Sequence, residues 1–432
     1  MTRALSRGEH DLEAMEVALR DAALGDGAKA LGTIMTAAGR ARRDEDVMCP
    51  KCDVAMDGTG PRDKCILTIL GATPYTRARY ECPLCKEALY PGDVVLGIKD
   101  TSRSPGVQRM AARMGAKEAF QEVATDLCEL AGIALSAKDA ERIAEGIGED
   151  IERRDVAARR LIRAQEPPPC ETLKTIPTLY IEFDGTGVPM VPHELEGRKG
   201  KQPDGSSKTR EAKLGCVFTQ TAVDDEGRPV RDPASTTFTG AIEDAATFGK
   251  RIYAEAVRRG LYHAKRVIVL GDGAEWVKNL AQTQFPMAIR IVDFYHAKEH
   301  VAQLCKALFQ KQGLVDQQRE RWWDLLAQGN IEGIIEEARG HLPRDPAANK
   351  DARREIEYLD KNKDQMRYAS YREQGLFIGS GVIEAGCKNV IGKRLKQSGM
   401  KWTVRGANSI IALRCATLSQ TRFTDYWDQR AA

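Results

Sequence analysis

No apolar run in the 432-residue sequence approaches the roughly 20 residues that a membrane-crossing helix needs; charge-free stretches such as 65–76 and 279–289 are far shorter. Nor is there an apolar leader with a small-residue cleavage site near the start, where Arg3, Arg7, Glu9 and Asp11 come directly, so a cytoplasmic protein is expected. An excess of either charge is missing too. With 65 basic and 62 acidic residues the formal balance is +3, and any attraction to nucleic acid must be local. What remains is ordinary for a globular protein, 42% hydrophobic and 29% charged. The length suits about three domains of roughly 150 residues each.

Eleven cysteines are an odd number, which excludes a fully paired disulfide framework, so thiols or metal ligands are expected. Four stand apart by spacing. Cys49-Pro-Lys-Cys52 and Cys82-Pro-Leu-Cys85 are two CxxC knuckles, and between them 65–70 and 75–80 read as strands turning at Gly71, Ala72 and Thr73. Four thiolates from two knuckles on a hairpin can close a tetrahedral site for a structural Zn2+, the outline of a zinc ribbon. A redox CxxC is the alternative. Cys65, Cys128, Cys170, Cys216, Cys305, Cys387 and Cys415 lack partners at ligand spacing and are expected to be small buried hydrophobes.

Residues 8–42 are Ala-rich with helical spacing. Helices are predicted over 108–130 and 136–153 with a turn at 131–135; Ser136 followed by Asp139 suits an N-cap, and Ala140, Ile143 and Ile147 form an apolar face. A helix-turn-helix DNA reader would look like this, as would any helical hairpin. Pro167-Pro168-Pro169 then marks a domain boundary, because consecutive prolines end any helix before them. Beyond it, strands are predicted at 178–184, 187–191 and 213–221. The 198–210 connection carries five basic residues against Asp204. A helix at 243–259 places Ala245, Phe248, Ile252 and Ala256 on one face and stops at Gly260. A strand at 266–270, a helix at 274–281 and a strand at 288–292 follow. The charged stretch 295–372 reads as helical, and Ser380 is placed to cap a new helix with Glu384 in its first turn.

Three antiparallel-looking strands and then helix, strand, helix, strand is the element order of a ribonuclease H-like fold, and the acids fall at its working positions. Asp184 ends the first strand, Asp272 follows the fourth, and Glu384 comes from a later helix. Such an all-oxygen set prefers Mg2+ or Mn2+ to zinc. Two such ions could activate a water or 3'-hydroxyl and stabilise a leaving oxygen, which is phosphodiester cleavage or transfer. Between 385 and 424 there are Lys388, Lys393, Arg394, Lys396, Lys401, Arg405, Arg414 and Arg422 and no acid, a local +8 that suits a phosphate backbone. Trp402 within it could stack on a base or belong to the core.

Phe183-Asp184-Gly185-Thr186-Gly187, Gly271-Asp272-Gly273-Ala274-Glu275-Trp276, Asp293-Phe294-Tyr295-His296 with Glu299-His300, and the segments Gly379-Ser380-Gly381-Val382-Ile383-Glu384 and Lys396-Gln397-Ser398-Gly399-Met400-Lys401-Trp402 resemble, in order, the motifs of the insertion-sequence Kra family of DDE transposases. The resemblance runs from about Cys49 to Trp427. It implies an α/β, ribonuclease H-like catalytic domain with an all-helical insertion, preceded by a zinc ribbon and a helical DNA-binding region. It also implies cutting and joining of DNA at the ends of the encoding element. By motif, Asp184, Asp272 and Glu384 would be the catalytic ligands of two Mg2+ or Mn2+ ions. The partner would be double-stranded DNA, both the element ends and the target, with no membrane and no small-molecule substrate. Because two ends must be joined, a homo-oligomer on DNA is expected. The corresponding division is 1–45 helical lead-in, 46–100 zinc ribbon, 101–165 helical DNA-binding region, 166–294 first part of the catalytic core, 295–376 helical insertion, and 377–432 core completion with a DNA-contacting basic tail. Lys388, Lys393, Arg394, Lys396, Lys401, Trp402 and Arg405 are the expected DNA contacts.

Two other functions compete. His296-Ala297-Lys298-Glu299-His300 fits the HxxEH pattern of a zinc metallopeptidase, although it follows a strand and leaves Asp184, the ribbon and the basic tail unused; otherwise His296 and His300 cap and line the acid cleft. A DNA-binding regulator that keeps the transposase scaffold without catalysis is the second. Trp322-Trp323 could meet unpaired bases or pack inside the insertion, and Tyr368, Tyr371 and Arg372 could face the same DNA.

Overall fold

The computed structural model describes residues 11–40, 47–163, 175–200, 202–203, 205–345 and 347–431. The chain divides into two compact units, one of residues 1–145 with 427–432 and the other of residues 146–426. Pro167 to Pro169, Cys170, Lys201 and Asp204 lie outside the described residues. Among the described residues, no helix is long and apolar enough to cross a membrane.

The first unit opens with helix α1 (Leu12–Arg40) and an antiparallel sheet of β1 (Asp57–Thr68), β2 (Gly71–Glu81) and β3 (Ala88–Leu89), followed by the short helix α2 (Pro91–Val95). Thr68 pairs with Gly71, so the hairpin turns at Ile69-Leu70, earlier than the expected Gly71 to Thr73. The Thr68 hydroxyl accepts from the Leu70 amide at 3.1 Å, and Gly71 supplies the positive φ of 103° that the tight return requires. Met35, Ile66, Tyr75 and Ile98 form the core beside the hairpin. The expected single helix over 108–130 is two helices, α3 (Pro105–Gly115) and α4 (Phe120–Ala131). Glu122 bends back to accept from the Ala119 amide at 3.2 Å, starting α4 afresh. Helix α5 (Ala137–Arg163) begins on Ser136, whose Oγ accepts from the Asp139 amide at 3.0 Å. Val107, Ala111, Val123, Leu127, Ile133 and Ala140 pack these helices together.

In the second unit a five-stranded mixed sheet combines β4 (Ile176–Pro189), β5 (Thr209–Gln220), β8 (Thr237–Ala241), β9 (Ala264–Gly271) and β10 (Ile289–Val292), in the spatial order β10-β9-β4-β5-β8. The short β6 (Ala222–Val223) and β7 (Pro229–Val230) form a separate ribbon. The segments expected as strands at 178–184 and 187–191 are one strand. Glycines that read as a turn are instead places of close approach: a Cβ on Gly187 would lie 2.9 Å from the Thr209 side chain of the paired strand. The third antiparallel strand is β8, whose Thr-Phe-Thr-Gly-Ala sequence is too short and mixed to announce itself. β4 and β9 run parallel, as do β9 and β10, with helices α6 (Ala245–Arg258) and α7 (Glu275–Gln284) between the last strands.

Alternation along β4 sends Leu179, Ile181 and Phe183 to one face, where Val217, Phe248, Ile252, Val269, Val277 and Leu280 complete a core. Each large side chain buried there contributes about 1.5–3 kcal/mol. Tyr180, Glu182 and Asp184 take the other face. After β10 come the helices of the insertion, α8 (Phe294–Leu308), α9 (Gln312–Ala327), α10 (Ile331–Gly340), α11 (Lys350–Asn362) and α12 (Tyr368–Glu373). The chain then re-enters the sheet region as α13 (Gly381–Gly386), a π-helical turn over Cys387–Gly392, α14 (Lys393–Leu395), α15 (Val404–Leu418) and α16 (Arg422–Ala431).

Of the cysteines expected to be buried, Cys216, Cys305, Cys387 and Cys415 are, whereas Cys65 and Cys128 are exposed. Both of these sit on the outward side of an element whose opposite side carries the core: Ile66 is buried beside Cys65, and Leu127 beside Cys128.

Candidate active site

The register of the sheet brings two of the three predicted acids level. Glu182 of β4 pairs with Leu270 of the parallel β9, so Asp184 and Asp272 each lie two residues further in the same direction, where β9 has ended. In open sheets the crevice beyond the carboxyl ends of parallel strands is where ligands bind. The Asp184 carboxylate accepts from the Gly185 amide at 2.6 Å, and the Asp272 carboxylate from the Ala274 amide at 2.9 Å. Burial, opposed by the Gly185 amide but joined by the negative charge of Asp272, raises the Asp184 carboxyl above its ordinary value. Glu384 stands in the first turn of α13. One turn on, the Cys387 thiol donates to Asp184 Oδ2 at 3.7 Å, which ties this helix to the aspartate strand. Burial, with Asp184 close by, pushes that thiol well up. Ser380 does not cap α13 with its hydroxyl, contrary to expectation. Its Oγ donates to Glu384 Oε1 at 3.4 Å, and its amide donates to Asp293.

The basic stretch is split between surface and interior. Lys388, Lys393, Lys396, Lys401 and Arg405 are exposed; the Lys396 ammonium donates to the hydroxyl of Thr186, two residues beyond Asp184, and Arg405 pairs with Glu149. Arg394 and Trp402 are not surface groups. Arg394 is fully buried, with its guanidinium 5.2 Å from the Trp402 ring centre, and the Trp402 indole donates to the Leu395 carbonyl at 3.1 Å. A ring held by a cation and a backbone bond inside the fold has no face left for a base. Arg414 donates to the Val390 and Asn389 carbonyls, and Arg422 pairs with Asp155, so both are internal as well.

In the first unit the sulfurs of Cys49, Cys52, Cys82 and Cys85 all lie within 4.8 Å of one another, with Cys49 and Cys85 at 3.6 Å. Tetrahedral zinc at about 2.3 Å from each sulfur sets sulfurs about 3.8 Å apart, so the donor set is compatible with a structural zinc. The Cys85 amide, donating to Cys82, lowers that thiol to about 7. Among the described residues no other group of three or more His, Cys, Asp or Glu side chains closes to this extent, and Asp184, Asp272 and Glu384 do not form one.

Residues 253–429 match a family described as "Uncharacterised protein family (UPF0236)". No curated protein matches the chain. A solved structure titled "Drosophila P element transposase strand transfer complex" is similar at 9% identity and a TM-score of 0.27, over 78% of this chain and 83% of that one. At that score, fold and function rest on the residues of the chain itself.

The HxxEH residues do not converge on a metal. Asp293 caps α8 by accepting from the His296 amide at 2.7 Å. His296 is close enough for its charge to bear on Asp184. His300 points elsewhere: its Nδ1 lies 2.6 Å from Glu355 and its ring stacks on Tyr358 with centroids 3.5 Å apart. Tyr358 in turn donates to the Asp272 carbonyl at 2.6 Å, so the insertion holds the loop of a predicted catalytic acid. The indole of buried Trp322 donates to Glu337, Trp323 donates to the Lys298 carbonyl at 3.0 Å, and Tyr368 donates to the Val292 carbonyl at 3.0 Å; the aromatics of the insertion are packing groups. Tyr371 is buried likewise, and exposed Arg372 lies over the Phe294 ring.

Glu182 and Tyr358 are residues that sequence reasoning missed at this site, and Asp293, named only as part of a motif, caps α8 and binds the Ser380 amide. Glu182 is fully buried, and burial pushes its carboxyl up to about 8. Its one signal in the sequence is an acid in an otherwise apolar strand, two places before Asp184.

Proposed function

We propose that the protein is a DDE transposase whose second unit is a ribonuclease H-like core, and that it cleaves and joins DNA strands at the ends of its own element. The observation that carries this reading is the level placement of Asp184, within β4, and Asp272, just past the end of β9, with Glu384 in the first turn of a helix whose following Cys387 donates to Asp184. The donor set fits hard divalent cations, since it is made of carboxylates, and a bound cation would offset the burial and the neighbouring Asp272 charge that raise Asp184. Asp184, Asp272 and Glu384 would hold Mg2+ or Mn2+, which would supply activation of the attacking oxygen and stabilisation of the leaving one.

The chain's own residues do the rest. Exposed Lys388, Lys393, Lys396 and Lys401 would offer positive charge to a phosphate backbone, with Lys396 at Thr186, two residues past Asp184. Tyr358 and the Ala274 amide fix the Asp272 loop from two sides, and His296 sets a further polar group near Asp184. The cysteine group and the helices α3 to α5 are proposed as the zinc ribbon and helical region that read element ends, with residues 295–376 as the insertion. A homo-oligomer on DNA, joining two ends, belongs to the same proposal.

The test is cleavage of DNA carrying the gene's own flanking ends by purified protein in Mg2+ or Mn2+, with Asp272→Asn as control. Metal-dependent cuts at both ends that vanish in the variant are expected. Binding of the ends without cutting in either metal would replace this reading with a silent DNA-binding regulator.

A further inference from the structure

Glu182 has no exposed surface, yet only one of its two oxygens is engaged by a strong donor. Oε2 accepts from the Ile383 amide at 2.9 Å, with the Cys216 thiol a distant 3.9 Å away, while Oε1 has no hydrogen-bond partner. Burying a carboxylate this way is costly, and an apolar residue would suit the strand better on packing grounds alone. The position of the bond supplies the reason. Amides of a helix's first turn have no partners within the helix, and here two buried carboxylates take them: Asp293 takes Ser380, and Glu182 takes Ile383. Ile383 immediately precedes Glu384. Glu182 lies two residues before Asp184 on the same face of β4, since side chains on a strand alternate.

We propose that Glu182 is a positioning residue that sets the distance between Asp184 and Glu384, by bonding the strand that carries one to the helix that carries the other. This rests on the reading of those two acids as ion ligands. The path from carboxylate to carboxylate runs Asp184, Phe183, Glu182, then across a single hydrogen bond to Ile383 and Glu384. Packing alone would let a helix turn slide by a fraction of an ångström; a directed bond one residue from Glu384 does not.

The experiment compares Glu182→Gln, which keeps an acceptor of the same shape, with Glu182→Leu, which fills the space without one. Hydrogen exchange at the Ile383 amide reads the bond directly, and Mn2+ titration followed by water proton relaxation reads the acids. Glu182→Gln is expected to stay near wild type in both. Glu182→Leu is expected to speed exchange at Ile383 and to weaken Mn2+ binding and cleavage by roughly 10- to 100-fold, the usual loss when a partner that orients a metal ligand is removed, with the KM for DNA unchanged. If Glu182→Leu does not fold by circular dichroism, Glu182→Met takes its place. The proposal is overturned if a folded variant lacking the acceptor keeps wild-type exchange and Mn2+ affinity, or if Glu182→Gln falls as far as Glu182→Leu. Should wild-type protein neither bind Mn2+ nor cut, the function reading fails instead, and exchange at Ile383 still reports on the bond.

Discussion

Gly273 shows how closely the Asp272 loop is built. It takes a φ of 75°, and a Cβ there would stand 2.6 Å from the Tyr358 hydroxyl. Gly273→Ala should therefore lose about 1–3 kcal/mol of stability from strain, read by urea denaturation, and should cut DNA more slowly. Tyr358→Phe keeps the ring against His300 and deletes the bond to the Asp272 carbonyl, so a loss of about 1 kcal/mol is expected, with slower cleavage at unchanged DNA affinity. Trp402 separates interior from interface. Trp402→Ala should destabilise by about 3–5 kcal/mol as a core truncation, whereas Trp402→Phe should retain DNA affinity in a filter-binding assay; a large affinity loss in the Phe variant would return Trp402 to the DNA surface.

At the level of elements, the knuckles on the sheet hairpin bring four thiols into a set compatible with a structural zinc. Purified protein should carry about one zinc per chain by elemental analysis, and Cys49→Ser should abolish it and loosen β1 to β3 in hydrogen exchange. Protons compete with the metal for the sulfurs, so zinc affinity should weaken as pH is lowered, read by zinc release to a chromogenic chelator across a pH series.

Legibility of the sequence also varied by element. Strand β9 and the aspartate beyond it stood out because a largely aliphatic run ends abruptly there, and the edge strand β10 was legible despite Arg290. The cysteine spacing was as plain. Hidden from the sequence were features that depend on distant partners. Glycines at 185 and 187 serve strand contact and not a turn, Glu122 restarts a helix that periodicity runs together, and the burial of Arg394 against Trp402 reverses what a count of charges implies. Glu182 looks like any polar residue in a strand until Ile383 arrives from 201 residues away.

For the second unit taken whole, a buried ionic knot is the main electrostatic support. Arg251, 5% exposed, is held by both Glu152 and Glu243, and Arg422 by Asp155. Burial works against Glu152 and Asp155, but the guanidiniums of Arg251 and Arg422 hold both carboxyls below their ordinary values. The stability they contribute is complete above the unfolded values of 4.5 and 3.8 and is lost as pH falls through the lower folded ones. Acid unfolding should thus begin below about pH 4. Arg251→Leu strands the Glu243 carboxylate and leaves Glu152 with Arg159 alone, and should cost about 3–5 kcal/mol at neutral pH, checked by thermal unfolding.

The insertion leaves and returns at one point. Phe294 donates to the Ile378 carbonyl at 2.8 Å, and Asp293 binds the Ser380 amide, so some 80 residues hang from a closed neck. Such a segment is a cassette in evolutionary terms: it can lengthen, shrink or be exchanged for another without shifting the register of any strand. The exchange is not unconditional. To keep full rate, whatever replaces it must bring a hydroxyl to the Asp272 carbonyl, and a graft that closes the neck but lacks that donor should yield a folded protein that cuts as slowly as Tyr358→Phe.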